Sequence, residues 1–93
     1  MRVAIFTDTY VPEINGVAMS SKSLRDILIA HGHEVLVVTT NPFGDEFNME
    51  DNVYRVPGQE LKKLYGYRLV NILNRKPMEV LRKFDPDVVH IVF

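Results

Sequence analysis

Thr7-Asp8-Thr9-Tyr10-Val11-Pro12-Glu13-Ile14-Asn15-Gly16 is the stretch of this 93-residue chain richest in groups suited to chemistry. It follows an apolar run, Arg2–Phe6, and feeds a helical pattern from Val17. The first turn of a helix carries free N–H groups and the positive end of the dipole, so it favours an anion. Gly16 lets a backbone come close to a phosphate where a side chain would collide. Asn15-Gly16 is equally an ordinary turn and helix cap, and the residues alone leave both readings open. With a single glycine the turn is no G-x-G-x-x-G, and no G-K-[ST] follows, so a dinucleotide or ATP phosphate loop is not expected. Asp8 stands alone where a phosphoacceptor domain needs an acidic cluster. Tyr-Val-Pro-Glu-Ile is also unlike the Ser/Thr/Gly-rich phosphate loop of a flavodoxin.

The histidines offer less. His31 and His33 flank Gly32 between a helix and a strand, and no further His or Cys cluster completes a metal site. His31 suits a helix C-terminus, where positive charge is favoured. His90 lies inside an apolar strand near its carboxyl end. It reads either as a core histidine or as a residue that acts through a neighbour in the crevice expected there.

The elements that must position these groups follow from the hydrophobic pattern. Arg2–Phe6, Val35–Thr40 and Asp87–Phe93 are short, β-branched, nearly continuous apolar runs, the pattern of parallel strands covered on both faces. Between the first two, Val17, Ser21, Leu24 and Leu28, with Ser20 and Ile27 beside them, recur at helical spacing. Lys22, Arg25 and Asp26 fall opposite. Asn15 or Gly16 starts this helix and Gly32 ends it. Residues 41–52 read as an acidic loop rich in breakers, and Val53–Val56 as a short strand stopped by Pro57-Gly58. Leu61 to Phe84 is predicted helical in two pieces, with breaks at Gly66 and Pro77 and an apolar stripe of Met78, Leu81 and Phe84. The order β-α-β-β-α-β predicts an α/β three-layer sandwich with a parallel sheet in the order 3-2-1-4. Its site would lie beyond the carboxyl ends of strands 1 and 4.

Composition narrows the class. At 46% hydrophobic and 25% charged residues the chain is neither disordered nor fibrous. No apolar run approaches the roughly 20 residues of a membrane-spanning helix, and the first residues do not follow a signal-peptide pattern. Absence of Cys removes disulfides, thiolate metal sites and a cysteine nucleophile, and fits a cytoplasmic protein. The net charge of −1 argues against nucleic acid as a partner. It hides an asymmetry, however: residues 60–83 carry seven Lys and Arg against two Glu. Leu61–Leu69 interleaves cations with Leu and Tyr, which suits either a solvated helix face or an anionic membrane surface bound through residues 61–83. The apolar run reaching Phe93 leads us to expect a chain cut from a longer protein.

Three blocks, Phe6–Val17, His31–Thr39 and Phe84–Ile91, resemble the amino-terminal domain of retaining glycosyltransferases of family 4, which have the GT-B fold. The resemblance covers essentially the whole chain and is nearest in flavour to glucosyl- and mannosyltransferases that act on membrane lipids, such as diacylglycerol glucosyltransferases. It implies that residues 1–93 are the first half of a Rossmann-like acceptor-side domain, with the donor domain missing. The parent would transfer a sugar from a nucleotide-sugar donor to an acceptor such as a membrane lipid. It would need no metal or other cofactor and work at the inner membrane face, while the fragment alone would be inactive. Asn15, Gly16 and Val17 map onto the loop that reaches the donor diphosphate. Tyr10 and Glu13 would line the acceptor side, and His90 matches the family's histidine at this strand end. Val92 stands where a polar residue is often found, and no catalytic residue is assigned. A second reading, a non-catalytic α/β module that binds phosphorylated ligands through Gly16, is of a different class.

Overall fold

In the computed structural model the described residues are 1–7, 9–11, 15–41, 44, 46–57 and 79–92. They form β1 (Arg2–Thr7), α1 (Gly16–Ala30), β2 (Glu34–Thr40), β3 (Asn48–Glu50), β4 (Val53–Val56), α2 (Glu79–Phe84) and β5 (Val88–Val92). The sheet order is β3-β4-β2-β1-β5. β1 is central and parallel to β2 and β5, β4 is parallel to β2, and β3 is antiparallel to β4. This is the expected α/β, Rossmann-like arrangement, extended by one edge strand.

Each face of the sheet has its own core, because successive strand residues point to opposite sides. Val3, Ile5, Val35 and Val37 face α1, packing with Tyr10 and, at its edge, Leu24 and Leu28. Ala4, Phe6, Leu36, Val38, Tyr54 and Val56 face α2 and close around Leu81. Helices on opposite faces make three layers, as right-handed crossovers of opposite direction require.

Asn15 starts α1, its extended backbone (φ −158°, ψ 170°) letting its side chain accept from the Ala18 N–H. At the other end His31 Nδ1 lies 2.8 Å from the Ile27 carbonyl, and Gly32 takes the positive φ of 84° that ends the helix. Within α1 the buried residues are Ala18 and Ser21, whereas Ile27 is 56% exposed. The expected stripe of Val17, Ser21, Leu24 and Leu28 is buried or half-buried, whereas Ser20 and Ile27 beside it face solvent. Arg25, expected opposite the core, is half-buried and reaches the Asp51 carbonyl.

The loop reading of residues 41–52 needs correction, since Asn48–Glu50 pairs with β4 as β3. Asp51 (φ 52°) and Asn52 (φ 59°) make the two-residue connection, both in the left-handed region that matches the twist of a hairpin. Asn52→Val is expected to cost about 1–2 kcal/mol, because a β-branched residue is strained there. Asn52→Gly should be neutral or mildly stabilising, and urea denaturation of the pair checks the difference. Of the predicted helical region 61–84, positions 61–78, including Gly66, Pro77 and Met78, lie outside the described residues. So do Phe93 and most of the basic segment. In α2, Leu81 is buried and Phe84 half-buried, while Arg82 and Lys83 are exposed.

Candidate functional site

The carboxyl end of β1 and the start of α1 come together through a chain of side-chain bonds. Thr7 Oγ1 donates to the Thr9 carbonyl (2.8 Å), and Thr9 Oγ1 donates to Asn15 Oδ1 (3.1 Å). That same oxygen accepts from the Ala18 N–H at 2.9 Å, and Met19 N–H closes the first helical turn on the Asn15 carbonyl. Asn15 thereby occupies one of the free N–H groups of the first turn. The N–H groups of Gly16 and Val17 have no partner among the described residues. Gly16 is exposed, and a Cβ built on it would meet nothing within 4 Å. The helix start is thus capped by its own chain yet open to solvent at Gly16. Chemically it can donate two adjacent N–H bonds to an anion, with the helix dipole behind them. Val17 is half-buried; Asp8, Pro12, Glu13 and Ile14 lie outside the described residues.

Tyr10 does not stand beside that opening as a free side chain. It is 3% exposed and packs with Ile5 and Val37 under α1. Arg55, which the sequence pattern did not single out, crosses the same layer. Its Nη1 donates to the Thr40 carbonyl at 3.0 Å and its Nη2 to the Val11 carbonyl. A signal for the region existed in Asp51-Asn52, a pair of turn-forming residues between two short strand-length segments.

His90 pairs with Ile5 in mid-sheet and is exposed, so it is not the core histidine that the apolar strand suggested. It shares an apolar cavity of about 260 Å³ with Met1, Leu24, Leu28, His33 and Val88, on the α1 side. His33, Met1 and Val88 belong to the amino ends of their strands, so His90 faces away from the Gly16 opening. Among the described residues no three His, Asp or Glu side chains converge as a metal site. No helix among them is long and apolar enough to cross a membrane.

Burial pushes the Tyr10 phenol above its ordinary value, against the lowering pull of Arg25; burial alone raises Tyr54. The fold therefore holds both phenols neutral more firmly than the unfolded chain does. That contribution is complete below about pH 10 and is lost as pH rises through the higher folded values. The urea midpoint should accordingly fall in alkali, and Tyr10→Phe should flatten that fall. In Asp26, the hydrogen bond from Lys22 (2.7 Å) is the main cause holding the carboxyl below its usual range.

Comparison with known proteins agrees with this architecture. The sequence profile described as Glycosyltransferase Family 4 matches residues 14–93. The chain is 43% identical over 93 residues to the alpha-monoglucosyldiacylglycerol synthase of Acholeplasma laidlawii, covering 98% of this chain and 23% of that protein. It is 38% identical over 96 residues to the GDP-mannose-dependent alpha-mannosyltransferase of Mycolicibacterium smegmatis, covering 98% and 25%. Against the alpha-monoglucosyldiacylglycerol synthase of Streptococcus pneumoniae the figures are 32% over 91 residues, 97% and 20%. The chain thus spans a fifth to a quarter of the length of the relatives it matches. No solved structure matches it significantly.

Proposed function

The chain belongs to glycosyltransferase family 4, and on that premise we propose that the protein carrying it transfers a hexose from a nucleotide-sugar donor to a membrane-lipid acceptor. The observation that carries the reading is the open start of α1, where the Gly16 and Val17 N–H groups have no partner among the described residues and Gly16 is exposed. A diphosphate leaving group gathers negative charge as the glycosidic bond to it breaks. Preorganised N–H donors stabilise that charge without reorganising. Asn15 contributes by fixing the turn and Gly16 by admitting the phosphate closely.

In this reading residues 1–93 form part of an acceptor-side domain, and the remaining donor contacts come from a second domain of the intact protein. Tyr10 and Glu13 belong to the loop on the acceptor side, Tyr10 acting by positioning because it is buried. His90, which lines a separate cavity with Met1, His33 and Val88, is given no part in transfer. The anomeric configuration is retained, and charge on the leaving diphosphate is neutralised by N–H groups and basic side chains with no metal. The lipid acceptor is supported by the named function of the Acholeplasma relative and by the cations of residues 61–83. Those cations suit a peripheral position on the cytoplasmic membrane face.

The test is transfer by the intact protein from UDP- and GDP-linked hexoses to diacylglycerol-containing vesicles, with and without EDTA. Labelled glycolipid of retained configuration, formed equally in EDTA, is the expected product. Absence of lipid-linked sugar with every donor would overturn the lipid reading, and a chelator-sensitive rate would overturn the metal-free one.

A further inference from the structure

β2 and β4 run parallel side by side, with Thr39 opposite Arg55 and Thr40 opposite Val56. Tyr54 and Val56 join the α2-side core, so Arg55 between them emerges on the α1 side. Its Nη1 donates to the carbonyl of Thr40 at the end of β2, a strand paired on both sides and therefore a fixed point. A guanidinium is planar, so once Nη1 is anchored the direction of Nη2 is set, and Nη2 donates to the Val11 carbonyl. That carbonyl accepts from no backbone N–H among the described residues. The bond from β4 is thus its partner, made across 44 positions of chain.

Val11 stands shortly before Asn15, the cap of α1. A loop has no ladder of its own, and the N–H groups it delivers point where its few fixed contacts direct them. Thr7 and Thr9 supply such contacts from within the loop, and Arg55 supplies one from the sheet. Val11 also precedes Pro12, and a residue before proline has few backbone conformations open to it. One bond at its carbonyl therefore goes far to orient the peptide. Two roles are open to such a cation: attraction of an anion by charge, or alignment of main chain by shape. No carboxylate among the described residues pairs with Arg55, whereas Arg25 pairs with Asp26 at 3.2 Å and reaches the Asp51 carbonyl at 3.5 Å. Both Nη atoms of Arg55 are already engaged by carbonyls, which favours alignment.

We propose that Arg55 is a positioning residue for transfer. By joining the Thr40 and Val11 carbonyls it aims the turn that delivers the Gly16 and Val17 N–H groups, and it acts without touching substrate. The inference rests on the transferase reading and adds to it a residue from β4. It is tested in the intact protein with Arg55→Lys, which keeps the charge but replaces the planar fork by a compact ammonium, and with Arg55→Gln, which loses both. Displacing aligned donors by a fraction of an ångström should lower kcat roughly tenfold in both variants. The KM for donor and for acceptor should stay within about twofold, as expected for an interaction realised only in the transition state. A second readout needs no substrate: hydrogen exchange at Ala18 and Met19, whose amides Asn15 holds, should quicken in both variants. Exchange at Leu28, near the other end of α1, should not change.

Wild-type transfer in Arg55→Lys beside a loss in Arg55→Gln would assign the effect to charge and overturn the proposal. A raised acceptor KM at unchanged kcat would overturn it too, by making Arg55 a direct substrate contact. So would unaltered exchange at Ala18 and Met19. The transferase reading fails by a different result, absence of transfer by the unsubstituted protein, and exchange still decides whether Arg55 holds the turn.

Discussion

Gly16→Ala should lower sugar transfer by the intact protein roughly 100-fold, the lower end of the range for losing one donor to a developing oxyanion. Its fold should be no less stable. Gly16 does not occupy the left-handed region, and its added Cβ meets no atom within 4 Å. In a helix alanine is favoured over glycine by up to about 1 kcal/mol. Any lost activity must therefore come from what approaches the turn. Gly16→Asp sharpens the contrast, since a carboxylate in the first turn stabilises a helix by about 0.3–1 kcal/mol but repels a diphosphate. Transfer and thermal stability should move in opposite directions in that variant. Donor kcat/KM and melting curves on both proteins make the check. Unchanged transfer in Gly16→Ala would remove the turn from the donor site.

Leu81→Ala is expected to cost about 2–5 kcal/mol, the range for emptying a large aliphatic site in a core. Leu81 is fully buried and is the buried residue of α2, where it meets the sheet face built from Ala4, Phe6, Leu36 and Val38. A helix of six residues has no stability of its own. What holds α2 is this contact, with help from half-buried Val80 and Phe84. Phe84→Ala should cost less, because that side chain keeps part of its surface in water in the fold. Denaturant titration of both variants tests the ranking. A loss below about 1 kcal/mol for Leu81→Ala would mean that the layer is secured elsewhere.

The sheet was legible because its order depends on few rules. Apolar runs at Arg2–Phe6 and Val35–Thr40, joined by one amphipathic helix, leave a right-handed unit as the simple solution, and Val88–Val92 then completes β1's other side. Asn15 was legible for the same reason: a short polar side chain before a periodic run satisfies an N–H that has nowhere else to go. β3 was not. Its three residues are all exposed and acidic or polar around Met49, so burial left no alternation to read. Only the positive-φ pair after it fixes the pairing. His90 misled because an apolar strand announces burial on both faces, whereas burial depends on which elements lie over it. Tyr10 lies in a loop of polar neighbours, and nothing local tells that its ring turns inward beneath α1. Arg55 escaped notice since its partners, Val11 and Thr40, are backbone carbonyls from two other segments.

The guanidinium of Arg55 behaves as a strut. It is a rigid plane whose two ends press on separate stretches of main chain, one leading toward Asn15 and one at the tip of β2. Spacing between the hairpin and the helix start is therefore not independently adjustable. Lengthening or reseating the hairpin would drag on the Val11 carbonyl and retune the turn from a distance, so evolution of either rim is tethered to the other.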